Sequence, residues 1–388
     1  MPYNGYSTMR KNVVIIIRNA MAYDFGGGER VPVFIAREAK KDDSLAPVVF
    51  SRSKMLLEFA VANSVKNRKT WWWSRQNWSG ARVALLPVYL VWQIILFFYY
   101  VVLFIRYRPS TVHVQSKDDF IAATFAARLL RARVIWSDHA DLKHIFKNHR
   151  VWYKNPIGKM VYLAAHLTER IVVVSKEDKR LISESIPSGT VKNKMKVVYN
   201  GAFDTYKPMK KYDKFTFIST GRLVTDKGIG ELIDAYMLFS KEIEGAELHF
   251  LGDGPEKEKF QKQAASNPSI VFLGYQQNPL DHVSKSHVFL LPTYHEGFSL
   301  ALVEACMLSM PIIATNVGGN PEIIKDRQTG LLVDVKDAVG LHRAMVELYN
   351  DKKLRSTLAT NARQEYLAKF NFETIIKAEF IDFYKEAQ

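Results

Sequence analysis

The chain has 388 residues, 48% of them hydrophobic, so it can bury two domain cores rather than one. Its single cysteine excludes an intramolecular disulfide framework and favours a reducing compartment. The formal net charge of +15 is uneven, because residues 1–205 hold 32 Lys or Arg against 15 Asp or Glu, while residues 206–388 hold 22 against 24. A basic first half indicates nucleic acid, an anionic membrane leaflet, or only a solvated basic face.

Short β-rich runs alternate with longer helical stretches along the whole chain. In the first half the predicted strands are 13–17, 48–51, 112–115, 134–137, 171–175 and 196–199. In the second half they are 215–219, 247–251, 270–273, 288–291 and 312–315. This alternation predicts an α/β protein with two doubly wound parallel sheets, joined near residues 200–214. Ligands of such folds bind at the carboxyl ends of the strands, so we expect the active site in a cleft between the domains.

Each half opens with a strand, a loop containing glycine, and a helix. Gly26, Gly27 and Gly28 follow the first strand, where glycine lets the backbone approach a phosphate or an acceptor, although such loops often serve only as turns. Arg222 and Lys227 occupy the matching loop of the second half. Cations there can neutralise a departing diphosphate, although exposed Arg and Lys ordinarily only solubilise a protein.

Residues 83–105 carry no charge and are long enough to span a bilayer. Basic residues and tryptophans precede the segment, and Arg106 and Arg108 follow it, as interfacial anchors do. A span would divide the strands of one parallel sheet between the two sides of the membrane. We therefore favour a helix lying in the interface, with an ordinary core helix and a true span as alternatives. No signal peptide is evident, because 13–17 is too short an apolar run.

Two acidic residues, Glu296 and Glu304, stand eight positions apart around the start of an apolar helix. Glu304 is the only charged residue between Phe298 and Ile313, so we expect it to be partly buried and to need a polar partner. A helix that begins near Phe298 or Ser299 puts Glu296 at its N-terminus and Glu304 about two turns further in. The free amides of Gly297, Phe298, Ser299 and Leu300 suit a diphosphate, and carboxylates suit sugar hydroxyls. Together they describe a nucleotide-sugar pocket.

This Glu-x7-Glu spacing, with its Gly-Phe-Ser-Leu core, resembles the motif of the retaining glycosyltransferases of family 4. Further similar segments are Gly26-Gly27-Gly28-Glu29-Arg30, Val198-Tyr199-Asn200-Gly201, Thr220-Gly221-Arg222-Leu223 with Lys227-Gly228, Gly252-Asp253-Gly254-Pro255, and Asn316-Val317-Gly318-Gly319 with Pro321-Glu322. The match covers most of residues 12–350 and is thin between 45 and 110. The resemblance implies the GT-B fold, in which two Rossmann-like domains face each other across a cleft. We expect an acceptor-side domain at 1–205, a nucleotide-sugar domain at 206–369, and a C-terminal helix at 370–388 that crosses back to the first domain.

The resemblance also implies a retaining hexosyltransferase that uses a nucleoside-diphosphate sugar, with UDP-sugars the commonest donors in the family. Arg222 and Lys227 would hold the diphosphate, Glu304 the ribose and Glu296 the sugar, while Gly221 would lie at the donor. His139, in a His-Ala context that differs from the family's, would contact the donor sugar near the reacting carbon. A lone histidine is more often structural, and His113, inside a β-rich run, is expected to pack. The sequence has no Asp-x-Asp triplet and no Cys/His cluster, so we expect neither a metal nor another cofactor.

The basic half and the apolar segment favour a lipid-linked or cell-envelope glycan acceptor, and a peripheral, monotopic location on the cytoplasmic face of an anionic membrane. A glycosidase fits poorly, since glycoside hydrolysis has no diphosphate to stabilise. A nucleic-acid binder leaves Glu296 and Glu304 unexplained, so no nucleic-acid partner is expected. The open alternatives are a GT-B nucleotide-sugar epimerase, which needs no acceptor, and a non-catalytic basic protein that binds membrane or nucleic acid.

Overall fold

The computed structural model describes residues 11–19, 27–71, 86–138, 156–186 and 189–386. The chain forms two compact units, one comprising residues up to 198 together with those from 373 onward, and the other residues 199–372. Within the described residues each unit is built on one sheet whose strands are all parallel. The predicted α/β class with two doubly wound sheets is therefore confirmed.

The sheet of the first unit has the strand order β3-β2-β1-β4-β5-β6-β7 in the described part of the chain. Its strands are β1 (Asn12–Ile17), β2 (Leu45–Ser51), β3 (Asn67–Lys69), β4 (Thr111–Val114), β5 (Arg133–Asp138), β6 (Arg170–Val173) and β7 (Met195–Val197). The central strand β1 ends in four fully buried residues, because helices cover both faces of a parallel sheet. The helices are Gly27–Ala39, Lys54–Ala62, Leu86–Tyr107, Phe120–Leu129, Pro156–Leu167, Lys176–Ser185 and Gly189–Lys194.

The sheet of the second unit has the order β10-β9-β8-β11-β12-β13. Its strands are β8 (Phe215–Thr220), β9 (Ala246–Leu251), β10 (Ile270–Gly274), β11 (Val288–Leu291), β12 (Ile312–Thr315) and β13 (Leu331–Val333). The helices are Ile229–Glu242, Lys257–Ala264, Pro279–Lys285, Leu300–Met307, Asn320–Ile323, Ala338–Asn350 and Lys352–Lys369. The chain order reverses between β8 and β11, and the carboxyl ends of strands at such a reversal form the usual ligand crevice of this fold class.

The sequence prediction missed two strands, β3 and β13. Both are three residues long and lie at the edge of a sheet. β3 consists of Asn67, Arg68 and Lys69, so it carries none of the apolar residues that mark a strand in a sequence. Its position follows from its pairing with β2 alone.

The long apolar helix Leu86–Tyr107 is the one helix in the described ranges that is long and apolar enough to cross a membrane. One of its faces is buried, including Tyr89, Leu96 and Tyr100, and it packs against the helix Phe120–Leu129. The helix joins β3 to β4, and β1 pairs with both β2 and β4. A transmembrane span would separate strands that pair in one sheet, so the helix does not cross a bilayer.

The C-terminal segment consists of Phe372–Ile376, a π-helical turn Lys377–Ile381, and Asp382–Lys385. It packs in the first unit around His113 of β4, which is fully buried. The His113 ring contacts Tyr384 Oη and Ser137 Oγ, each at 2.7 Å, and stacks on Phe380. The expectation that His113 is a packing residue is confirmed.

We expect the first unit to lose stability as the pH falls from about 6.5 towards 3. Burial lowers the pKa of His113 from 6.5 to about 3, so the folded unit keeps the ring neutral while the unfolded chain takes up a proton. Above pH 6.5 the ring is neutral in the folded and the unfolded chain, so protonation takes nothing from the free energy of unfolding. At pH 4 that free energy is lower by roughly 3 kcal/mol. Urea unfolding followed by tryptophan fluorescence measures this, because all seven tryptophans precede residue 153. The His113→Gln variant should show a shallower pH dependence than the unmodified protein; equal slopes would reject the assignment.

Candidate active site

A cavity of about 360 Å³ lies at the carboxyl ends of β8, β9 and β10 in the second unit. It is lined by Thr220, Gly221, Arg222, Leu251, Gly252, Asp253, Tyr275, Gln276, Pro279, Leu280, Val283, Phe289, Ala301, Glu304 and Ala305. The structure therefore brings together Arg222, Gly221 and Glu304, which the sequence had pointed to separately. Asp253 lies in the Gly252-Asp253-Gly254-Pro255 segment of the resemblance, which gave it no role. Tyr275 and Gln276 were not predicted, since loop residues of these types carry no distinguishing pattern.

Two glycine loops interlock at this cavity. A Cβ added to Gly252, whose φ is +139°, would lie 2.0 Å from the carbonyl oxygen of Gly221. A Cβ on Gly254 would lie 2.4 Å from the carbonyl oxygen of Leu223, and the amide of Leu223 donates to Asp253 O at 3.0 Å. Only glycine allows these backbones to approach so closely. The spacing of glycines in the two motifs thus fixes the loop that carries Arg222.

Glu304 is half-buried on the helix Leu300–Met307, whose neighbouring residues Leu302 and Val303 are fully buried. The helix begins after Ser299, whose Oγ accepts a hydrogen bond from the Leu302 amide at 3.3 Å. The predicted helix start and the partial burial of Glu304 are both confirmed. Cys306, on the same helix, is fully buried, and burial raises the pKa of its thiol.

Glu296 forms an ion pair with Lys227, whose Nζ lies 2.8 Å from the Glu296 Oε2. Both side chains are largely covered, at 19% and 26% exposed respectively. Lys227 ends the 3-10 turn Thr225–Lys227, whereas Arg222, earlier in the same loop, lines the cavity. The structure therefore places the two predicted cations differently: Arg222 lines the cavity that Glu304 also lines, whereas Lys227 pairs with Glu296.

The loop that carries Glu296 is held on two sides. On one side, the Tyr294 amide donates to Asp226 O at 2.8 Å, and Thr293 Oγ1 donates to the same oxygen at 3.1 Å. On the other side, the Gly319 amide donates to Glu296 O at 3.3 Å. Contacts with the 3-10 turn and with the turn after β12 thus hold the backbone that carries Glu296.

Tyr199 and Glu322 form a second contact at this end of the sheet that the sequence did not assign. Tyr199 Oη donates to Glu322 Oε2 at 3.0 Å, and its ring stacks on Phe298 with centroids 5.0 Å apart. Burial and the Glu322 carboxylate raise the pKa of Tyr199, so the phenol remains a donor. Both residues lie within segments that carry the family resemblance, which was the only sequence signal for them.

The predicted glycine loop of the first unit needs a correction. Gly27 and Gly28 are the first residues of the helix Gly27–Ala39, so they do not form a loop ahead of it. The early helix start leaves their own backbone amides, rather than those of later residues, at the helix N-terminus. Gly26 and His139 lie outside the described residues; His139 directly follows Asp138, the last residue of β5.

A buried polar cluster that the sequence did not reveal lies at the carboxyl ends of β1 and β4. The Asn19 amide donates to Ser116 Oγ at 2.6 Å, and Asn19 Nδ2 donates to Asp119 Oδ2 at 2.9 Å. Asp119 is fully buried and also accepts a hydrogen bond from Tyr100 Oη at 2.7 Å. Among the described residues no group of three His, Cys, Asp or Glu side chains is placed to hold a metal ion.

Family models match nearly the whole chain in two consecutive parts. Residues 25–203 match "Glycosyltransferase Family 4", and residues 204–365 match "Glycosyl transferases group 1". The boundary between the two matches falls within a few residues of the boundary between the two compact units.

Curated relatives are similar over part of their length. The capsular polysaccharide biosynthesis glycosyltransferase CapM of Staphylococcus aureus is 27% identical over 58% of this chain and 67% of its own. The UDP-Gal:alpha-D-GlcNAc-diphosphoundecaprenol alpha-1,3-galactosyltransferase of Escherichia coli is 26% identical over 67% of this chain and 71% of its own. Two other relatives are aligned over only 40% and 57% of their lengths.

Solved structures are similar over almost the entire chain. A glycosyltransferase from Rickettsia africae superposes with a TM-score of 0.77 at 16% identity, covering 97% of this chain and 98% of its own. Anabaena HepE in complex with UDP superposes with a TM-score of 0.74 at 15% identity, covering 97% of this chain and 100% of its own. These similarities confirm the predicted GT-B class of two Rossmann-like domains.

Proposed function

Because the chain belongs to the family 4 and group 1 glycosyltransferases, we propose that it transfers a hexose from a UDP-sugar to a hydroxyl of a lipid-linked or cell-envelope glycan, with retention of the anomeric configuration. The second unit holds the donor and the first unit the acceptor. The protein works at the cytoplasmic face of a membrane. The E. coli relative, whose name specifies UDP-galactose and a diphosphoundecaprenol acceptor, supports both substrate classes.

The observation that carries this proposal is the placement of Arg222 and Glu304 in one cavity at the strand reversal of the second sheet. A guanidinium binds diphosphate oxygens, and a carboxylate accepts hydrogen bonds from vicinal ribose hydroxyls. Tyr275 lines the same cavity and offers an aromatic face to a nucleobase. The cavity volume is within the range of small-molecule sites.

In the proposed reaction, the bond from the anomeric carbon to the diphosphate oxygen breaks, and a bond to the acceptor oxygen forms on the same face of the sugar. The acceptor's proton passes to the departing phosphate oxygen, so no protein side chain has to act as the base. The protein contributes position and charge. Arg222 and Lys227 stabilise the diphosphate, Glu296 orients the sugar hydroxyls, and the amides of Gly297 to Leu300 contribute further donors. His139 keeps the role that the resemblance implies, a contact with the donor sugar.

The proposal includes no metal ion. In the proposal, positive charge at the diphosphate comes from Arg222 and Lys227 rather than from a divalent cation. Assays are therefore to be run with EDTA present, and activity that requires added magnesium or manganese would overturn this part of the proposal.

We expect Glu304→Gln to weaken UDP binding about 10- to 100-fold, because the neutral amide is a weaker acceptor for ribose hydroxyls. UDP should raise the melting temperature of the unmodified protein, since a ligand of the folded state alone stabilises it, and should do so less for the variant. Glu242→Gln is the matched control, because Glu242 is 57% exposed on the same unit and does not line the cavity. Equal stabilisation of all three proteins by UDP would remove Glu304 from the donor site.

The second candidate function, a nucleotide-sugar epimerase, shares the donor cavity but needs no acceptor. Incubation with a UDP-sugar alone distinguishes the two. A transferase leaves the sugar's configuration unchanged at every ring carbon, whereas an isomerised UDP-sugar in the absence of acceptor would favour the epimerase.

A further inference from the structure

One face of the helix Leu86–Tyr107 exposes six apolar side chains spaced three and four residues apart. They are Val88, Val91, Ile95, Phe98, Val102 and Ile105, and each is between 43% and 68% exposed. Residues three and four apart are neighbours on a helix surface, so the six form a continuous stripe roughly 26 Å long. Monomeric soluble proteins rarely expose an apolar patch of this extent unless it is an interaction site. We call these six residues the apolar stripe.

The stripe cannot turn inward, because the opposite face of the helix is fastened to its own unit. Tyr100 Oη donates to the buried Asp119 at 2.7 Å, and Gln93 Nε2 donates to Asp118 O at 3.3 Å. Asp119 in turn accepts from Asn19, which follows β1. These bonds tie the helix to the carboxyl ends of β1 and β4.

Cations and an exposed tryptophan flank the helix. Arg106 and Arg108 are exposed at its C-terminal end. Beside its middle, Trp71 is 64% exposed with its ring 5.5 Å from that of Tyr99, and the exposed Lys69 precedes it. An apolar surface bordered by tryptophan, lysine and arginine matches the boundary between acyl chains and anionic head groups.

We propose that the apolar stripe docks into the acyl boundary of an anionic bilayer, with the helix lying in the membrane plane. This deepens the proposed function and rests on its lipid-linked acceptor. Because the helix is fastened to the carboxyl ends of β1 and β4, docking holds that edge of the first sheet at the level of the head groups. A sugar acceptor carried on a lipid diphosphate presents its hydroxyl at the same level.

A second copy of the chain fits the stripe less well than lipid does. Helix pairs with this spacing use charged residues beside the apolar seam to set register, and protein interfaces have a polar rim. Here the residues beside the stripe are apolar, among them Ile94, which is 57% exposed, and residues 86–105 contain no charge. A dimer would leave these flanks in water, whereas a bilayer covers them as well.

The test replaces Val91, Phe98 and Val102 together by glutamine, which keeps helix propensity and removes exposed apolar surface. Vesicles of phosphatidylglycerol and phosphatidylethanolamine are floated with the full-length protein. We expect the unmodified protein to float with them and the stripe variant to bind at least about 100-fold more weakly. The matched control replaces Leu238, Val339 and Leu367, three exposed apolar residues of the second unit, by glutamine and should bind like the unmodified protein.

Two results would overturn the proposal. One is equal flotation of the stripe variant and the unmodified protein. The other is a dimer in sedimentation that the stripe variant dissociates while its vesicle binding is unchanged. The rise in melting temperature caused by UDP, measured without vesicles, tests the proposed function separately from this proposal. It should be the same in the stripe variant and in the unmodified protein. Its absence from the unmodified protein would reject the donor site and leave the membrane result standing.

Discussion

Lys227→Ala is expected to lower turnover about 100- to 1000-fold, the usual cost of removing one preorganised charge donor from a transferring centre. Lys227 is the cation of the donor loop that pairs with Glu296, and the pair is mostly shielded from solvent. Removing it takes positive charge away from the departing diphosphate and leaves the Glu296 carboxylate without its ion-pair partner. Initial rates at saturating UDP-sugar and acceptor measure the loss.

The double variant Lys227→Ala with Glu296→Gln separates two ways in which Lys227 can act. If Lys227 only positions Glu296, the double variant should be about as slow as the slower single variant, because both changes break one contact. If Lys227 also contacts the diphosphate, the double variant should be slower than either, and kcat should fall more than KM rises.

A matched control is offered by Lys214, which pairs with Glu247 at the same Nζ to Oε distance of 2.8 Å but lies before β8, away from the cavity. Lys214→Ala should leave turnover unchanged. A Lys227→Ala enzyme within threefold of the unmodified rate, with EDTA present, would show that neither the diphosphate nor Glu296 depends on this cation.

Both sheets could be predicted from the sequence because their central strands are buried on both faces and appear as continuous apolar runs. Val14 to Ile17 and Ile312 to Ala314 are fully buried examples. The helix that carries Glu304 could also be predicted, since Ser299 is a good N-cap and the residues after it are apolar. Local features of this kind need only neighbours in the sequence.

The same reasoning could not predict contacts between loops that are distant in the sequence. Lys227 and Glu296 are 69 residues apart, and Tyr199 and Glu322 are 123 residues apart. Whether such side chains meet depends on the packing of the turns that carry them, which no local pattern encodes. The resemblance marked all four residues and gave roles to two of them, but it did not indicate that they pair. The helix start at Gly27 was missed for the opposite reason, because a run of glycines reads as a loop.

Gly318 lies where the turn after β12 comes closest to the backbone of Glu296. Of the substitutions considered, we expect Gly318→Ala to lower stability most. Its φ is +55°, and an added Cβ would lie 1.8 Å from the carbonyl oxygen of Glu296. Alanine must adopt an unfavourable backbone conformation and also push the Glu296 loop away, at a combined cost of about 3 kcal/mol. For a unit of this size that corresponds to a melting temperature lower by about 6–12 °C, measurable by calorimetry. Turnover should fall as well, because the displaced backbone carries Glu296.

Gly319→Ala separates the two causes. Its φ is −83°, which alanine adopts readily, yet its Cβ would lie 2.2 Å from the carbonyl oxygen of Gly297. Gly230→Ala is the control, since its Cβ would make only an ordinary contact, 3.5 Å from the Gln263 side chain, within the helix Ile229–Glu242; it should leave stability unchanged or slightly raised. If Gly318→Ala and Gly319→Ala both melt like Gly230→Ala, the close approach of the two turns does not hold the Glu296 loop. If only Gly318→Ala is destabilised, backbone conformation rather than steric contact accounts for the glycine at that position.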